Sequence, residues 1–253
     1  MTTVIKGLYT GASGMLASKQ RLNIVSNNLA NADTTGYKKE GTVRESFPEM
    51  LINKIDSKGK EEIGSLGTGV RNQFSYTDFS RGSLKHTANP LDLAIQGEGF
   101  FVVETPAGER YTKNGNFTLN NMGQIVTESG YPLLNEAGEP MQTIDNRNIN
   151  FDGEGQLYLD DLEAGTVQVV NFEDKGNLEK AGENLYQLAD EGVEALEANN
   201  YQIRQGYQET SNVNVVKEMT KMIEANRHYE MNQRAIKTAD QTLEKTVNQV
   251  GRL

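Results

Sequence analysis

VVKEMTKMIEANRHYEMNQRAIKTADQTLEKTVNQV, residues 215–250, is the stretch that decides the fold. Its apolar positions Val215, Met219, Met222, Tyr229, Ile236, Leu243, Val247 and Val250 recur at helical spacing, with charged and amide residues between them. At 3.6 residues per turn this keeps one side of a long helix apolar. The other end of the chain carries a matching row. From Leu8, apolar or small residues recur at Gly11, Met15, Ser18, Leu22, Val25 and Leu29. A narrow stripe on a long helix is the seam of a coiled coil and needs a partner to cover it. The candidates are the opposite end of the chain and further copies of it. A second, polar series on the C-terminal helix, Asn212, Asn226, Gln233 and Asp240, has the character of seam residues that lower stability but fix register.

The first helix is expected over about Thr3 to Ala30. Gly7, Gly11 and Gly14 each cost it about 1 kcal/mol against alanine, which points to close approach of another backbone. Asn27 through Tyr37, rich in Asn, Thr and Asp and ending at Gly36, predicts a tight turn. Ser46-Phe47-Pro48-Glu49 has the form of a capping box and predicts a short amphipathic helix through Met50, Leu51 and Ile55. A charged, exposed loop is expected at Asp56 to Glu62. From Gly69 to Tyr207 the signals are β: pieces such as Ile125-Val126-Thr127, Leu157-Tyr158-Leu159 and Val167 to Phe172. Between the strands stand Asn114-Gly115, Met122-Gly123, Ser129-Gly130, Ala137-Gly138, Asp152-Gly153 and Lys175-Gly176 as turns. Thr210-Ser211-Asn212 offers N-cap chemistry ahead of the last helix.

The expected fold is therefore α+β. Residues 1–35 and 210–253 form a terminal coiled-coil domain, 36–68 an extended linker with a short helix, and 69–209 an inserted all-β domain.

Composition narrows the function. The 253 residues carry 25 Lys plus Arg against 35 Asp plus Glu, a net charge of −10. That balance disfavours a nucleic-acid binder or a partner of anionic lipid. The absence of cysteine removes thiolate catalysis and Cys-ligated zinc. Lys6 is followed by Gly, Ser and Thr rather than an unbroken apolar run, so the general secretory route is not expected. No stretch approaches the ~18 apolar residues of a membrane span, so direct membrane insertion is not expected either.

Catalytic constellations are equally sparse. Asp160-Asp161, adjacent on the chain, would point to opposite faces of a strand and are expected in a solvated turn. His86 and His228 lack further ligands at metal spacing. Gly67-Thr68-Gly69, Gly97-Glu98-Gly99 and Gly153-Glu154-Gly155 continue to neither a dinucleotide nor a phosphate-loop motif. No enzyme activity, cofactor, metal or small-molecule substrate is expected. Assembly is the leading function. A coiled-coil surface adhesin with a β head, or a carbohydrate-active enzyme built on the β domain, are the competing classes.

Four motifs carry a resemblance. They are Ser26-Asn27-Asn28-Leu29-Ala30-Asn31-Ala32 with Thr35-Gly36-Tyr37-Lys38, and Asn89-Pro90-Leu91-Asp92-Leu93-Ala94-Ile95-Gln96-Gly97-Glu98-Gly99-Phe100-Phe101. Tyr111 to Phe117 follows, and then Gly206 to Asn214, including Ser211, Asn212 and Val213, leads into the C-terminal helix. Together they resemble the bacterial flagellar rod and hook proteins. The resemblance implies a rod subunit in the basal body, exported unfolded through the flagellar type III apparatus. It implies helical polymerisation with copies of itself and other rod and hook proteins, with the terminal helices lining a tube, a β outer layer, and residues 36–68 touching neighbours. Gly67-Thr68-Gly69-Val70 and Glu209-Thr210-Ser211-Asn212-Val213 resemble the distal-rod type, whereas the length also suits the proximal-rod type. A hook protein would need an additional outer domain.

Overall fold

The structure, a computed structural model, describes residues 2–48, 50–56, 59–67, 69–143, 149–160, 162–189, 192 and 195–250. For 2–6, 50–56, 59–66 and 249–250 it describes the backbone alone. Two long helices, α1 (Thr2–Ala30) and α2 (Val215–Val250), bracket a β-rich region, so the fold is α+β. The chain divides into two discontinuous compact units: residues 1–30, 40–78 and 214–253, and residues 31–39 and 79–213. The segment 36–68 is thus shared between units and is not a separate linker.

In the first unit, α1 and α2 run antiparallel. Gly11 lies beside Ile236 and Gly14 beside Asn232. Further along α1, Arg21 meets Glu224 and Asn28 meets Glu218. α2 starts at Val215 and is capped by Asn214, later than the expected Thr210-Ser211-Asn212 cap. Asn214 Oδ1 accepts the Lys217 N–H at 3.0 Å, and its carbonyl accepts that of Glu218 at 2.9 Å.

Where the capping box predicts a helix, the chain forms strands. Glu40–Ser46 pairs antiparallel with Val70–Thr77, and nested beyond it Met50–Asp56 pairs with Gly59–Leu66. Residues 40–77 therefore make one long, interrupted hairpin, joined at the break by the Phe47 N–H donating to the Gly69 carbonyl at 3.0 Å. Pro48 favours extended backbone in the residue before it. The charged stretch read as a loop is mostly strand, with Lys54 in register with Glu61 across the ladder. Glu49 of the box, Ser57-Lys58 of that loop and Thr68 lie outside the described residues.

In the second unit, a six-stranded antiparallel sheet runs in the order Leu178–Gly182, Leu185–Leu188, Gly108–Thr112, Phe100–Thr105, Val169–Asn171, Leu196–Glu197. Side chains alternate across a strand, so Phe100–Thr105 serves two cores. Phe101 and Val103 join Leu93, Ile95, Phe117 and Leu157 on one side. Phe100 and Val102 join Tyr111, Phe172 and Tyr186 on the other. The second core is built of rings, with Phe100 and Phe172 centroids 5.7 Å apart and Tyr111 and Phe172 4.8 Å apart in edge contact. Most expected glycine turns appear, with positive φ at Gly123, Gly130 and Gly138. Lys175–Asn177 is instead a single 3-10 turn capped by Asp174.

Candidate functional site

The facing surfaces of α1 and α2 are built from small and polar groups. On α1, Gly11, Ser18 and Val25 are buried, while Leu8, Met15, Leu22 and Leu29 are half-buried between them. These are the positions of the row read from Leu8 to Leu29. On α2, Met222, Tyr229, Ile236 and Leu243 are half-buried as expected, but they alternate with Glu218, Ala225, Asn232 and Ala239. The polar series Asn226, Gln233, Asp240 is exposed, one residue out of phase, and Asn212 belongs to the second unit. Val215, Met219 and Val247 of the expected row are also exposed. The side chain of Val250 lies outside the described residues.

Two of the three glycines of α1 earn their place by contact. A Cβ on Gly11 would stand 2.8 Å from Ile236 Cγ1, and one on Gly14 would stand 2.7 Å from Asn232 Nδ2. Around Gly7 the space is open. At the far end of α1 the motif residue Asn28 is buried and fully used. Its Oδ1 accepts the Glu40 N–H and its Nδ2 donates to the Glu40 carbonyl, both at 2.9 Å. The same Nδ2 reaches the buried Glu218 carboxylate at 3.4 Å, which also accepts Lys221 Nζ at 2.6 Å. Asn28 thus holds the first strand of the hairpin and the first turn of α2 to α1. Hairpin and helix meet again where Asn72 Nδ2 donates to the Ala17 carbonyl.

A second set of apolar residues points away from this contact. Tyr9 and Leu16 on α1 are 71% and 69% exposed, and on α2 Val216, Met219, Ile223 and Met231 are each more than half exposed. Val216, Met219 and Ile223 recur three and four apart, which makes a stripe of their own.

The remaining motif residues work inside the second unit. Gly36, at φ 68°, donates its N–H to the Glu209 carbonyl at 2.7 Å, and a Cβ there would stand 2.5 Å from Asn114 N. Lys38 Nζ, wholly buried, donates to Glu209 Oε1 at 2.6 Å and to the Ser80 carbonyl at 2.9 Å. Asn212 Oδ1 accepts the Lys39 N–H, and its Nδ2 donates to the Ser80 carbonyl at 3.0 Å. Above the Tyr37 ring, Lys180 Nζ sits 4.2 Å from the centroid and donates to the Lys38 carbonyl. Ser211 Oγ accepts the Val213 N–H at 3.3 Å. Segment 31–39 is thereby latched to 209–212.

The central motif is also architectural. Asn89 Oδ1 accepts the Leu91 N–H and its Nδ2 donates to Asp92 Oδ1 at 3.0 Å, turning the chain through Pro90 into strand Leu93–Gly97. Gly97 and Gly99 have positive φ, and a Cβ on either would strike the backbone at Asn200 or the side chain of Val169. Phe100 and Phe101 then fill the two cores. Asn27, Ala30 and Asn31 complete the end of α1 and the turn after it, where Thr34 Oγ1 donates to Asn31 Oδ1 at 3.2 Å.

Sequence reading missed the Lys38–Glu209 pair, whose members lie 171 residues apart. Beside it lies Lys113, buried, with Nζ 5.2 Å from the Phe100 centroid. Desolvation, opposed by Glu209 and reinforced by Lys38, pushes the Lys113 ammonium down to about 8. His86 packs at a tilt against Tyr207, ring centroids 4.9 Å apart, and His228 is exposed on α2. Asp160 is exposed in a turn, and Asp161 lies outside the described residues. Among the described residues no three His, Asp or Glu side chains converge as a metal site, and no helix is long and apolar enough to cross a membrane.

Three family models match successive parts of the chain. Residues 8–38 match "Flagella basal body rod protein", 94–159 match "Flagellar hook protein FlgE/F/G D1 domain", and 204–250 match "Flagellar basal body rod FlgEFG protein C-terminal". Among relatives, the flagellar hook-basal body complex protein FlhO of Bacillus subtilis is 37% identical, over 99% of this chain and all of the relative. The flagellar basal-body rod protein FlgG of Buchnera aphidicola subsp. Schizaphis graminum is 36% identical over 96% of this chain and 98% of its own length. FlgG of Caulobacter vibrioides is 37% identical with the same coverage. With its helical ends, its latch and its central strands all matched in order, the chain belongs to the flagellar basal-body rod protein family.

Proposed function

We propose that the protein is a structural subunit of the bacterial flagellar basal-body rod. It polymerises helically with copies of itself and with other rod and hook proteins into the shaft that passes torque from motor to hook. The observation that carries this reading is the doubled apolar patterning of the terminal helices. Each helix carries a row of half-buried positions, with Gly11 beside Ile236 and Gly14 beside Asn232, while Tyr9, Leu16, Val216, Met219 and Ile223 are exposed. The stripe Val216, Met219 and Ile223 is the kind of exposed apolar surface a protein–protein contact covers. Repeated head to tail without closing a ring, such a contact builds a helical filament.

In this reading α1 and α2 pair as an antiparallel coiled coil. Glu218, Met222, Ala225, Tyr229, Asn232, Ile236, Ala239 and Leu243 are its alternating seam, and the outward stripes seat against neighbouring copies. A two-helix seam of Gly, Ala, Ser and Asn supplies little apolar burial, and isolated helices are marginal in water. The helices gain full order on assembly, and a chain with loosely held ends suits passage unfolded through the flagellar export apparatus. The role is structural rather than catalytic.

Purified wild type is expected to form filaments above a threshold concentration. Ile223→Asp is expected to abolish them while the monomer keeps its helical circular dichroism, because a buried unpaired carboxylate is penalised only in the contact. Normal filaments from that variant would refute the reading. In cells lacking the gene, electron microscopy is expected to show an axial structure that stops within the rod.

A further inference from the structure

A cavity of about 250 Å³ opens inside the first unit where α1, α2 and the 40–77 hairpin meet. Its floor is α1, where Gly14, Ala17 and Ser18 are too small to fill it. Its wall carries Arg44 from strand Glu40–Ser46, with His228 and Asn232 from α2. Among the described residues, none of those three side chains has a hydrogen-bond or ion-pair partner. Ser18 Oγ, by contrast, is already committed to the Gly14 carbonyl at 2.8 Å.

The local charge is one-sided. Arg21 is answered by Glu224 at 3.4 Å, and Glu45, next to Arg44 in the strand, is taken by Arg71 at 3.1 Å. Arg44 is exposed, and among the described residues its five N–H donors have no protein acceptor, so they face water. Partial desolvation and the like charge of Arg21 both weigh against its guanidinium, holding it below the ordinary value. An anion in the cavity would relieve both. The planar fork of a guanidinium fits a carboxylate in a two-bond arrangement.

We propose that this cavity is a seat for a carboxylate, and that an acidic side chain of a second copy of the chain supplies it. The source rests on the subunit reading above; the seat does not. Charge complementarity favours a copy: each chain holds 35 acidic against 25 basic residues, so a neighbour has carboxylates in surplus. The walls are the same terminal helices whose outward stripes need neighbours.

Two measurements on the full chain test this. Nitrogen-15 spectra of Arg44 Nε–H are followed while N-acetylglutamate amide, its neutral glutamine counterpart, or inorganic phosphate is added. The glutamate compound is expected to give a saturable shift that Arg44→Gln loses and the glutamine compound fails to produce. No saturable shift, an equal shift from the neutral compound, or a response to phosphate alone would overturn the carboxylate seat. In sedimentation velocity, Arg44→Glu is expected to raise the concentration at which the chain associates by about tenfold, equivalent to about 1.4 kcal/mol, with Arg44→Lys close to wild type. An unchanged threshold in Arg44→Glu, with helical content intact, would rule out a copy as the source; should that variant not fold, Arg44→Gln is read in its place. A wild-type chain that never associates would sink the subunit reading and the copy as source together, while the spectra still decide the seat.

Discussion

The two units of the molecule bury different things. In the second unit Phe100, Phe101, Phe117, Leu157 and Val167 have no solvent exposure at all, and two cores share a sheet. In the first unit the buried residues of the helices are Gly11, Ala17, Ser18, Val25, Asn28, Glu218 and Ala225, while large apolar side chains face water. One unit has finished its hydrophobic core within a single chain. The other has built a framework of backbone contacts and polar joints, and keeps its greasy surface for something else. Stability that comes from apolar burial is therefore concentrated in the second unit, and the association proposed above falls to the helices.

The comparison breaks most readily in the strand cores. Phe101→Ala is expected to lower the stability of the second unit by about 3–5 kcal/mol, from lost transfer energy plus a cavity. Urea unfolding followed by tyrosine fluorescence would read it. A midpoint close to wild type would mean that this core is not what holds the unit.

The latch comes next. Lys38→Met leaves the Glu209 carboxylate buried without its ammonium partner, at a cost of about 3 kcal/mol. Lys38→Met with Glu209→Leu is expected to recover most of that loss, because the charge and its unmet need leave together. A double variant as weak as the single one would assign the loss to packing.

Lys113 sharpens the same region through pH. Its folded-state value of about 8 lies below the ordinary 10.5. Between those limits the unfolded chain holds more protons than the folded one, so stability rises with pH across about 8 to 10.5. Below pH 8 the folded state carries the full penalty, on the order of 3 kcal/mol. Lys113→Met is expected to be the more stable protein at pH 7 and to lose that part of the pH slope, measured as the difference between two urea series.

The smallest effects belong to the helices. Gly7→Ala meets open space and is expected to raise the melting of the helical signal by about 1 kcal/mol in stability. Gly11→Ala must push against Ile236, so it is expected to gain nothing or to lose. Equal gains at both positions would show that the helices do not approach where the structure has them.

How much of this was legible beforehand differs along the chain. On α1 the positions read from Leu8 to Leu29 are buried or half-buried, while Tyr9 and Leu16 of the same helix are exposed. On α2 the row was half right. Met222, Tyr229, Ile236 and Leu243 are half-buried, with Ile236 beside Gly11, but Val215, Met219 and Val247 are exposed, because this helix carries apolar residues on more than one side and periodicity alone cannot say which side meets which partner. The polar series was placed one residue late for the same reason. The 46–62 stretch was misread because a capping box is a local signal, whereas a hairpin is made by pairing across the turn. Motif residues such as Asn28 and Gly36 were visible as turn-formers, yet their partners Glu40, Glu218 and Glu209 were not.

Periodicity, glycine placement and turn chemistry are local properties, and they determined the α+β order of helix, strands and helix. Which apolar positions are covered and which carboxylate answers Lys38 were decided only by the tertiary structure. Those choices depend on groups brought together from far along the chain, and the free energy of burying a charge or an apolar side chain is set by what surrounds it, not by what precedes it.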